Sequence, residues 1–243
     1  MKFPKVIIYQ FGRVGSSSLK ATFGGYSCKS VREFKENNEK FSECIHVHAH
    51  KIVKYILENS NEEIHIIMPV RFAIQRNISA FFHNLQRGTG SFRKLDISER
   101  KNINIQQLIT NYENNYQQLN LTATFLDQWM KDASKTLSVN LLKNKFNMEK
   151  KYEKLKKNNA RILLLRYEDI SNWTDITSNF INTKINIQCR KNAPKPGSYS
   201  DKYIKFKNIY NIPNDEKEAI QKSVYINKFY TQEEINKYLS IKS

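Results

Sequence analysis

The sequence predicts an α/β fold: a parallel β-sheet flanked by helices, with a helical middle insertion and a helical C-terminus. Short apolar runs rich in β-branched residues, each suited to a buried strand, occur at residues 5–10, 44–48, 64–68 and 161–166. Helical stretches separate the first three runs, and this β-α-β-α-β-α order is typical of parallel sheets with right-handed crossovers. A length of 243 residues fits one such unit, so we expect a single domain over residues 1–243.

The connections between the strands are predicted from the spacing of their apolar residues. Residues 16–23 follow a glycine-containing turn and predict the first helix, and residues 50–59 and 73–86 predict the next two. Residues 24–43 are polar and charged, and they predict a loop or a short helix. Because ligands of parallel sheets bind beyond the carboxyl ends of the strands, we expect the first three strand ends to converge on one crevice.

The middle of the chain has a different character. Residues 87–104 are polar and predict a mobile lid or an acceptor loop, whereas 105–119 and 122–143 have helical periodicity. The Lys-rich residues 149–158 predict a solvated helix. After the fourth strand the sequence predicts further helices, with a turn at residues 191–197.

The charge of the chain restricts its partners. Forty basic and 23 acidic residues give a formal net charge of +17, which favours polyanionic partners such as nucleotides, nucleic acid, acidic polysaccharide or an anionic membrane surface. No recognised nucleic-acid motif accompanies the charge, so we expect no specific nucleic-acid partner.

The cysteines and the hydropathy of the chain predict its cellular compartment. Cys28, Cys44 and Cys189 form no C-x-x-C pair, which favours free thiols in a reducing compartment. No run approaches 18 apolar residues and the N-terminus lacks the features of a signal peptide, so we expect no transmembrane segment. Together these observations predict a cytoplasmic protein.

The turn after the first strand has the composition of a phosphate-binding loop. It contains two glycines, a cation and three hydroxyls before a helix: Phe11, Gly12, Arg13, Val14, Gly15, Ser16, Ser17 and Ser18. Backbone N–H groups and the positive end of a helix attract phosphate in such turns. The loop lacks the Lys of the nucleotide-triphosphatase pattern G-x-x-x-x-G-K-[ST]. The alternative is an ordinary strand-to-helix turn with serine caps.

A second candidate phosphate site follows the third strand. Arg71 stands at the strand end and Ser79 lies eight residues later, about two helical turns or roughly 9 Å along a helix that starts near residue 73. A guanidinium and a hydroxyl at this spacing can flank one phosphate. The alternative is a structural ion pair and a hydroxyl bonded to the helix backbone.

Together, the two segments resemble the nucleotide-binding signatures of sulfotransferases that use 3′-phosphoadenosine 5′-phosphosulfate (PAPS). The segments Leu165–Ile170, Ser200–Lys207 and Lys228–Ile235 are similar to a bacterial subgroup associated with capsular polysaccharide synthesis. The resemblance implies a P-loop-like α/β fold and sulfuryl transfer from PAPS to a hydroxyl or amine, with a carbohydrate as the expected acceptor. It also implies that the first loop holds the 5′-phosphosulfate and that Arg71 and Ser79 hold the 3′-phosphate.

The mechanism can be argued from these parts. Charge grows on the departing 5′-phosphate, and Arg13 with the loop N–H groups is suited to stabilise it. The donor needs positioning and charge stabilisation, so we expect no metal. A late basic loop reaches the 3′-phosphate in some sulfotransferases, and here it would be Arg190, Lys191 and Lys195, for which a solvated charge cluster is the alternative.

Histidine is the expected general base. His46, His48 and His50 alternate along the second predicted strand, so they are expected to share one face. Many sulfotransferases carry a histidine at about the distance before the Arg that His50 and His48 have here. We favour His50, then His48, with His46 deeper in the strand and Glu168 as a rival base. Zinc binding and ordinary strand-end histidines are the alternatives.

Two other classes of protein compete with this interpretation. A P-loop kinase or nucleotide hydrolase would also use a strand-loop-helix phosphate site, but the missing Walker Lys and Walker B carboxylate count against it. A non-catalytic polyanion-binding protein is supported by the net charge alone.

Overall fold

The computed structural model describes residues 2–115, 122–188 and 199–240. The predicted turn at 191–197, the predicted basic loop and Cys189 lie outside these residues. The chain divides into two compact units, Met1–Arg71 with Gln128–Arg190, and Phe72–Asp127 with Lys191–Ser243. The single domain over the whole chain stays a prediction.

The secondary structure confirms the predicted α/β class. The strands are β1 (Val6–Tyr9), β2 (Tyr26–Ser27), β3 (Cys44–Val47), β4 (Ile64–Val70), β5 (Tyr152–Lys157) and β6 (Ala160–Arg166). The helices are α1 (Ser16–Thr22), α2 (Val31–Glu36), α3 (His50–Asn59), α4 (Ala73–Arg87), α5 (Ile97–Asn102), α6 (Ile105–Asn115), α7 (Ala123–Thr136), α8 (Trp173–Ile181), α9 (Ser200–Ile209), α10 (Asn214–Lys222), α11 (Val224–Phe229) and α12 (Gln232–Ser240).

The first unit is built on a six-stranded sheet in the order β2-β3-β1-β4-β6-β5. All neighbouring strands are parallel except β5, which runs antiparallel to β6. Every residue of β1 is buried, as expected for a central strand covered on both faces. One side of the sheet carries an apolar core that includes Val6, Ile8, Leu19, Cys44, Ile67, Leu163, Leu165, Trp173 and Phe180.

The Lys-rich segment 149–158 was predicted as a solvated helix, and that prediction is wrong. Its residues from Tyr152 to Lys157 form β5, which pairs with β6 across a two-residue turn. Asn158 in this turn adopts a left-handed φ of +50°, a conformation that asparagine tolerates. Exposed lysines are also common on edge strands, because charge discourages pairing with another chain.

Strand β4 includes Pro69 and ends at Val70, two residues beyond the predicted run of 64–68. Pro69 pairs with Leu165 of β6, while the pairing of β4 with β1 stops at Ile67. The missing N–H of the proline therefore falls where the ladder with β1 has already ended. This extension carries the chain directly to Arg71.

The second unit contains only helices among its described residues, which agrees with the predicted helical C-terminus. Its core is aromatic, with ring contacts among Phe81, Tyr112, Phe206 and Tyr210. Glu216 lies buried beside it and accepts a hydrogen bond from the Tyr210 hydroxyl at 2.9 Å. Burial raises the pKa of this carboxyl to about 7.

The predicted lid or acceptor loop at residues 87–104 contains α5 and a 3₁₀ turn. Arg100 lies buried against the end of α4 and donates to the carbonyl groups of Leu85 and Gln86 at 3.2 and 3.3 Å. Gly88, at φ +63°, makes room for this guanidinium, since a Cβ there would lie 2.3 Å from Nη1. The mobility of this segment and its contact with an acceptor stay predictions.

No helix in the described ranges is long and apolar enough to cross a bilayer.

Candidate functional site

The loop after β1 has an unusual backbone. Gly12, Arg13 and Gly15 all have left-handed φ angles, of +99°, +61° and +83°. Successive residues of this kind turn the chain sharply and are typical of concave, N–H-lined anion sites. Gly15 is also required by space, because a Cβ on it would lie 2.6 Å from the Tyr167 ring and 3.1 Å from Trp173.

The side chains of the loop divide into anchors and exposed groups. Phe11 and Val14 are buried, which fixes the loop to the protein interior. Ser16 and Ser18 are also buried, while Ser17, between them on the first turn of α1, is exposed. The three serines belong to the predicted phosphate-binding loop, and their contact with a phosphate stays a prediction.

Arg71 contacts this loop directly. Its Nη1 donates to the main-chain carbonyl of Arg13 at 3.2 Å. The guanidinium also stacks on the ring of Tyr167, 4.2 Å from the ring centroid. Strands β1 and β4 are parallel neighbours, so their carboxyl ends bring the loop and Arg71 to the same edge of the sheet.

Ser79 lies on α4 and belongs to the second unit. Its predicted role beside Arg71 stays a prediction.

Gln10 joins the loop to two of the histidines. It is buried, and its Oε1 accepts a hydrogen bond from the N–H of Gly12. Its Nε2 lies 3.0 Å from Nε2 of His46 and 3.0 Å from Nε2 of His48. The amide therefore connects the backbone of the loop with both imidazole rings.

His46 has both ring nitrogens engaged. Nδ1 lies 3.3 Å from the Ser27 hydroxyl, and Nε2 lies 3.1 Å from the Ser16 hydroxyl in addition to Gln10. Burial, assisted by the charges of His48 and Lys20, lowers the pKa of His46 to about 4. This ring is therefore neutral at physiological pH and suited to holding its neighbours in place.

His50 has different surroundings. It is the first residue of α3, and its Nδ1 is hydrogen-bonded to the Tyr9 hydroxyl. Its ring packs at 5.2 Å from the Trp129 ring. Burial lowers the pKa of His50, and the carboxylate of Asp132 opposes that shift. A neutral imidazole near physiological pH is a competent proton acceptor.

The prediction that the three histidines share one strand face is wrong. Strand β3 ends at Val47, so the alternation of side chains does not extend to His50. His50 contacts Tyr9, whereas His46 and His48 contact Gln10, the next residue of the chain. Tyr9 is the last residue of β1 and Gln10 lies just beyond it, so the histidines contact two different side chains at this strand end.

The sequence interpretation missed Tyr9 and Tyr167 as parts of this site, whereas Gln10 stood at one of the strand ends that were expected to converge on one crevice. Tyr9 directly precedes Gln10 and the glycine loop, and its hydroxyl at a predicted strand end was the signal that could have pointed to it. Tyr167 lies in the segment that resembles the sulfotransferases, but only the fold shows that it stacks on Arg71.

Residues 2–115, 122–188 and 199–240 hold no group of three or more His, Cys, Asp or Glu side chains arranged to bind a metal ion. Comparison of the chain with protein families, with curated proteins and with solved structures found no match. The resemblance to the sulfotransferases therefore depends on the motifs of this chain alone.

Proposed function

We propose that this protein is a sulfotransferase that moves a sulfuryl group from PAPS to a hydroxyl or amine acceptor, with a carbohydrate as the preferred acceptor class. One observation carries the proposal: Nη1 of Arg71 donates to the carbonyl of Arg13, 3.2 Å away. The two halves of the nucleotide signature, 58 residues apart in the chain, are thus in contact at the carboxyl end of a parallel sheet. Ligands of such sheets bind at this edge.

The loop is suited to hold the 5′-phosphosulfate of the donor. Its left-handed backbone and the start of α1 present N–H groups, and Arg13 adds a positive charge. Arg71 supplies a guanidinium for the 3′-phosphate, and the stacking on Tyr167 fixes its plane. The net charge of +17 attracts a polyanionic nucleotide from solution.

The chemistry assigns a role to each group. The acceptor oxygen forms a bond to sulfur while the bond between sulfur and the 5′-phosphate oxygen breaks. Negative charge grows on the departing phosphate, where Arg13 and the loop N–H groups stabilise it. The acceptor proton passes to a histidine, with His50 preferred and His48 second. The products are the sulfated acceptor and 3′-phosphoadenosine 5′-phosphate (PAP).

A cytoplasmic location belongs to the same proposal. Cys28 and Cys44 are free thiols, which supports a reducing compartment.

Calorimetric titration with PAP tests the proposal. We expect binding that Arg71→Ala weakens by about 10- to 150-fold, because a charge-assisted hydrogen bond contributes about 1.5–3 kcal/mol. Arg161→Ala is the matched control: it also removes one guanidinium, but Arg161 pairs with His65, at the amino end of β4. We expect it to bind PAP as the wild type does.

Failure of PAP to bind would contradict the proposal. Tighter binding of ATP with Mg²⁺ than of PAP would also contradict it and would favour a kinase-like protein. Strong, salt-sensitive binding of nucleic acid without affinity for PAP would favour a polyanion-binding protein instead.

A further inference from the structure

The buried side chain of Gln10 connects the loop backbone to a histidine that also contacts the loop. Oε1 of Gln10 accepts a hydrogen bond from the N–H of Gly12, and Nε2 of Gln10 lies 3.0 Å from Nε2 of His46. The same nitrogen of His46 lies 3.1 Å from the hydroxyl of Ser16. On the other side of the ring, Nδ1 lies 3.3 Å from the hydroxyl of Ser27. One amide and one imidazole therefore join two residues of the candidate phosphate loop.

The N–H of Gly12 sets the orientation of the Gln10 amide. A backbone N–H can only donate, so the amide oxygen faces it and the NH₂ group faces the histidines. Its two N–H bonds are then directed at His46 and His48, each of which has a ring nitrogen 3.0 Å from Nε2 of Gln10. The rotated amide would place two donors against each other at Gly12, and buried polar groups without a partner cost free energy.

The orientation of the amide in turn sets the tautomer of His46. The NH₂ group of Gln10 donates, so Nε2 of His46 accepts with its lone pair and carries no proton. Burial lowers the pKa of His46 to about 4, so the ring is neutral and its single proton is on Nδ1. The Ser27 oxygen accepts that proton with one lone pair and the ammonium group of Lys20, 2.9 Å away, with the other.

The network then holds one more donor than it has acceptors. Nε2 of His46 has one lone pair, and both the amide of Gln10 and the hydroxyl of Ser16 lie within reach of it. The amide is fixed by its bond to Gly12, whereas a serine hydroxyl can rotate its proton to another acceptor. The Ser16 proton is therefore the one that an anion bound in the loop can take without leaving Nε2 of His46 unsatisfied.

We propose that Gln10 and His46 are positioning residues, in which Gln10 holds His46 as the Nδ1–H tautomer and so leaves the hydroxyl proton of Ser16 for the phosphosulfate of the donor nucleotide. The inference rests on the proposed function for the identity of the anion. It assigns different roles to two donors of the loop, because the N–H of Gly12 bonds within the protein and the hydroxyl of Ser16 bonds to the ligand.

The tautomer of His46 can be measured in protein labelled with ¹⁵N at histidine. In long-range ¹H–¹⁵N spectra of the ligand-free wild type at neutral pH, we expect a protonated Nδ1 and an unprotonated Nε2. A proton on Nε2 would overturn the inference, because Gln10 could then not donate to that nitrogen.

Gln10→Glu reverses the hydrogen bonding with almost no change of shape. One carboxylate oxygen can still accept from the N–H of Gly12, but the other faces His46 and can only accept. We expect a proton on Nε2 of His46 and a higher pKa for the ring, since a carboxylate favours the charged imidazole. Gln221→Glu makes the same charge change at an exposed position on α10 and should leave the spectrum of His46 unchanged. An unchanged His46 in Gln10→Glu would contradict the inference.

A double-mutant cycle tests the link between Gln10 and Ser16. In the wild-type background, we expect Ser16→Ala to weaken the binding of PAP, which keeps the 5′-phosphate, by about tenfold. Gln10→Met keeps the length of the side chain and removes the amide, so the Ser16 proton goes to Nε2 of His46. In that background, Ser16→Ala should weaken binding by no more than about twofold.

Ser42→Ala is the control for the cycle, because its hydroxyl donates to the carbonyl of Glu39 within its own turn. We expect it to leave the affinity for PAP unchanged in both backgrounds. An equal effect of Ser16→Ala in the two backgrounds, whether large or small, would overturn the assigned role of Gln10.

The outcomes distinguish this inference from the proposed function. Failure to bind PAP overturns the proposed function and the identity of the anion. The spectra of the ligand-free wild type and of Gln10→Glu still decide whether Gln10 sets the tautomer of His46.

Discussion

His50 and His46 lie at the carboxyl end of the same sheet, and their ring nitrogens are used differently. Burial lowers the pKa of both. Both nitrogens of His46 contact a neighbouring side chain, whereas the hydrogen bond of His50 involves Nδ1 alone. A histidine whose pKa is lowered by burial near the site is therefore not identified as the general base by that shift alone. A base also needs a nitrogen that the fold has not already used.

Replacement of His50 gives the largest expected effect and tests the comparison most severely. His50→Gln should lower turnover on the order of 10²- to 10⁴-fold, because no other group then takes the acceptor proton. PAP affinity should stay unchanged in calorimetry, since His50 is not assigned to the nucleotide.

His65→Gln is the control for this variant. His65 is half-buried on β4, but it pairs with Val6 at the amino end of the strands. We expect it to turn over as the wild type does. Substantial turnover in His50→Gln would make His48 the base and would reverse the comparison.

A change in the loop tests how closely the Tyr167 ring restricts the loop backbone. Gly15→Ala combines a left-handed φ of +83° with a Cβ placed 2.6 Å from the Tyr167 ring. Gly24→Ala has a similar φ of +59° and no atom within 4 Å of the added Cβ. Gly24→Ala should therefore lower the free energy of unfolding by about 1–2 kcal/mol, through the strained backbone alone.

Gly15→Ala should lower the free energy of unfolding by a further amount of about 1–3 kcal/mol, because the Tyr167 ring must move away from the added Cβ. Urea denaturation of the two variants measures the difference between them. Equal losses of stability would show that Tyr167 does not restrict the loop.

Removal of the Asp132 charge gives the smallest expected effect. The carboxylate raises the pKa of His50 against the effect of burial, so Asp132→Asn should lower that pKa. The acid limb of the kcat/KM profile should therefore move to lower pH by a small amount. Asp175→Asn on α8, an exposed position, is the control that should leave the profile in place. A shift to higher pH in Asp132→Asn would contradict the assignment of His50 to this limb.

The parts of the candidate site that could be predicted from the sequence are those whose residues stand close together in the chain or directly after a clear strand. Glycines, Arg13 and serines stand together in the loop, and Arg71 follows a clear strand, so residue type and position were sufficient. Tyr9 could not be assigned in this way, because a tyrosine in a buried strand has the same pattern whether or not its hydroxyl meets His50. Its ring partner Trp129 lies more than a hundred residues away and contacts it only through the fold.

The errors in the fold have a similar origin. The lysines of residues 149–158 follow neither a strand period nor a helix period, so the sequence pattern could not distinguish an edge strand from an exposed helix. The segment is a strand because it pairs with β6, a contact that its own sequence does not reveal. The histidines were placed on one face because strand alternation was extended to His50, which the structure assigns to α3.

The measurement that tests the central claim most directly is the affinity of the wild-type protein for PAP relative to adenosine 5′-monophosphate. The two nucleotides differ in the 3′-phosphate, the group assigned to Arg71. We predict that PAP binds more tightly by tenfold or more, as expected for a charge-assisted contact worth at least about 1.4 kcal/mol. Equal affinity for the two nucleotides, or no binding of either, would contradict the account.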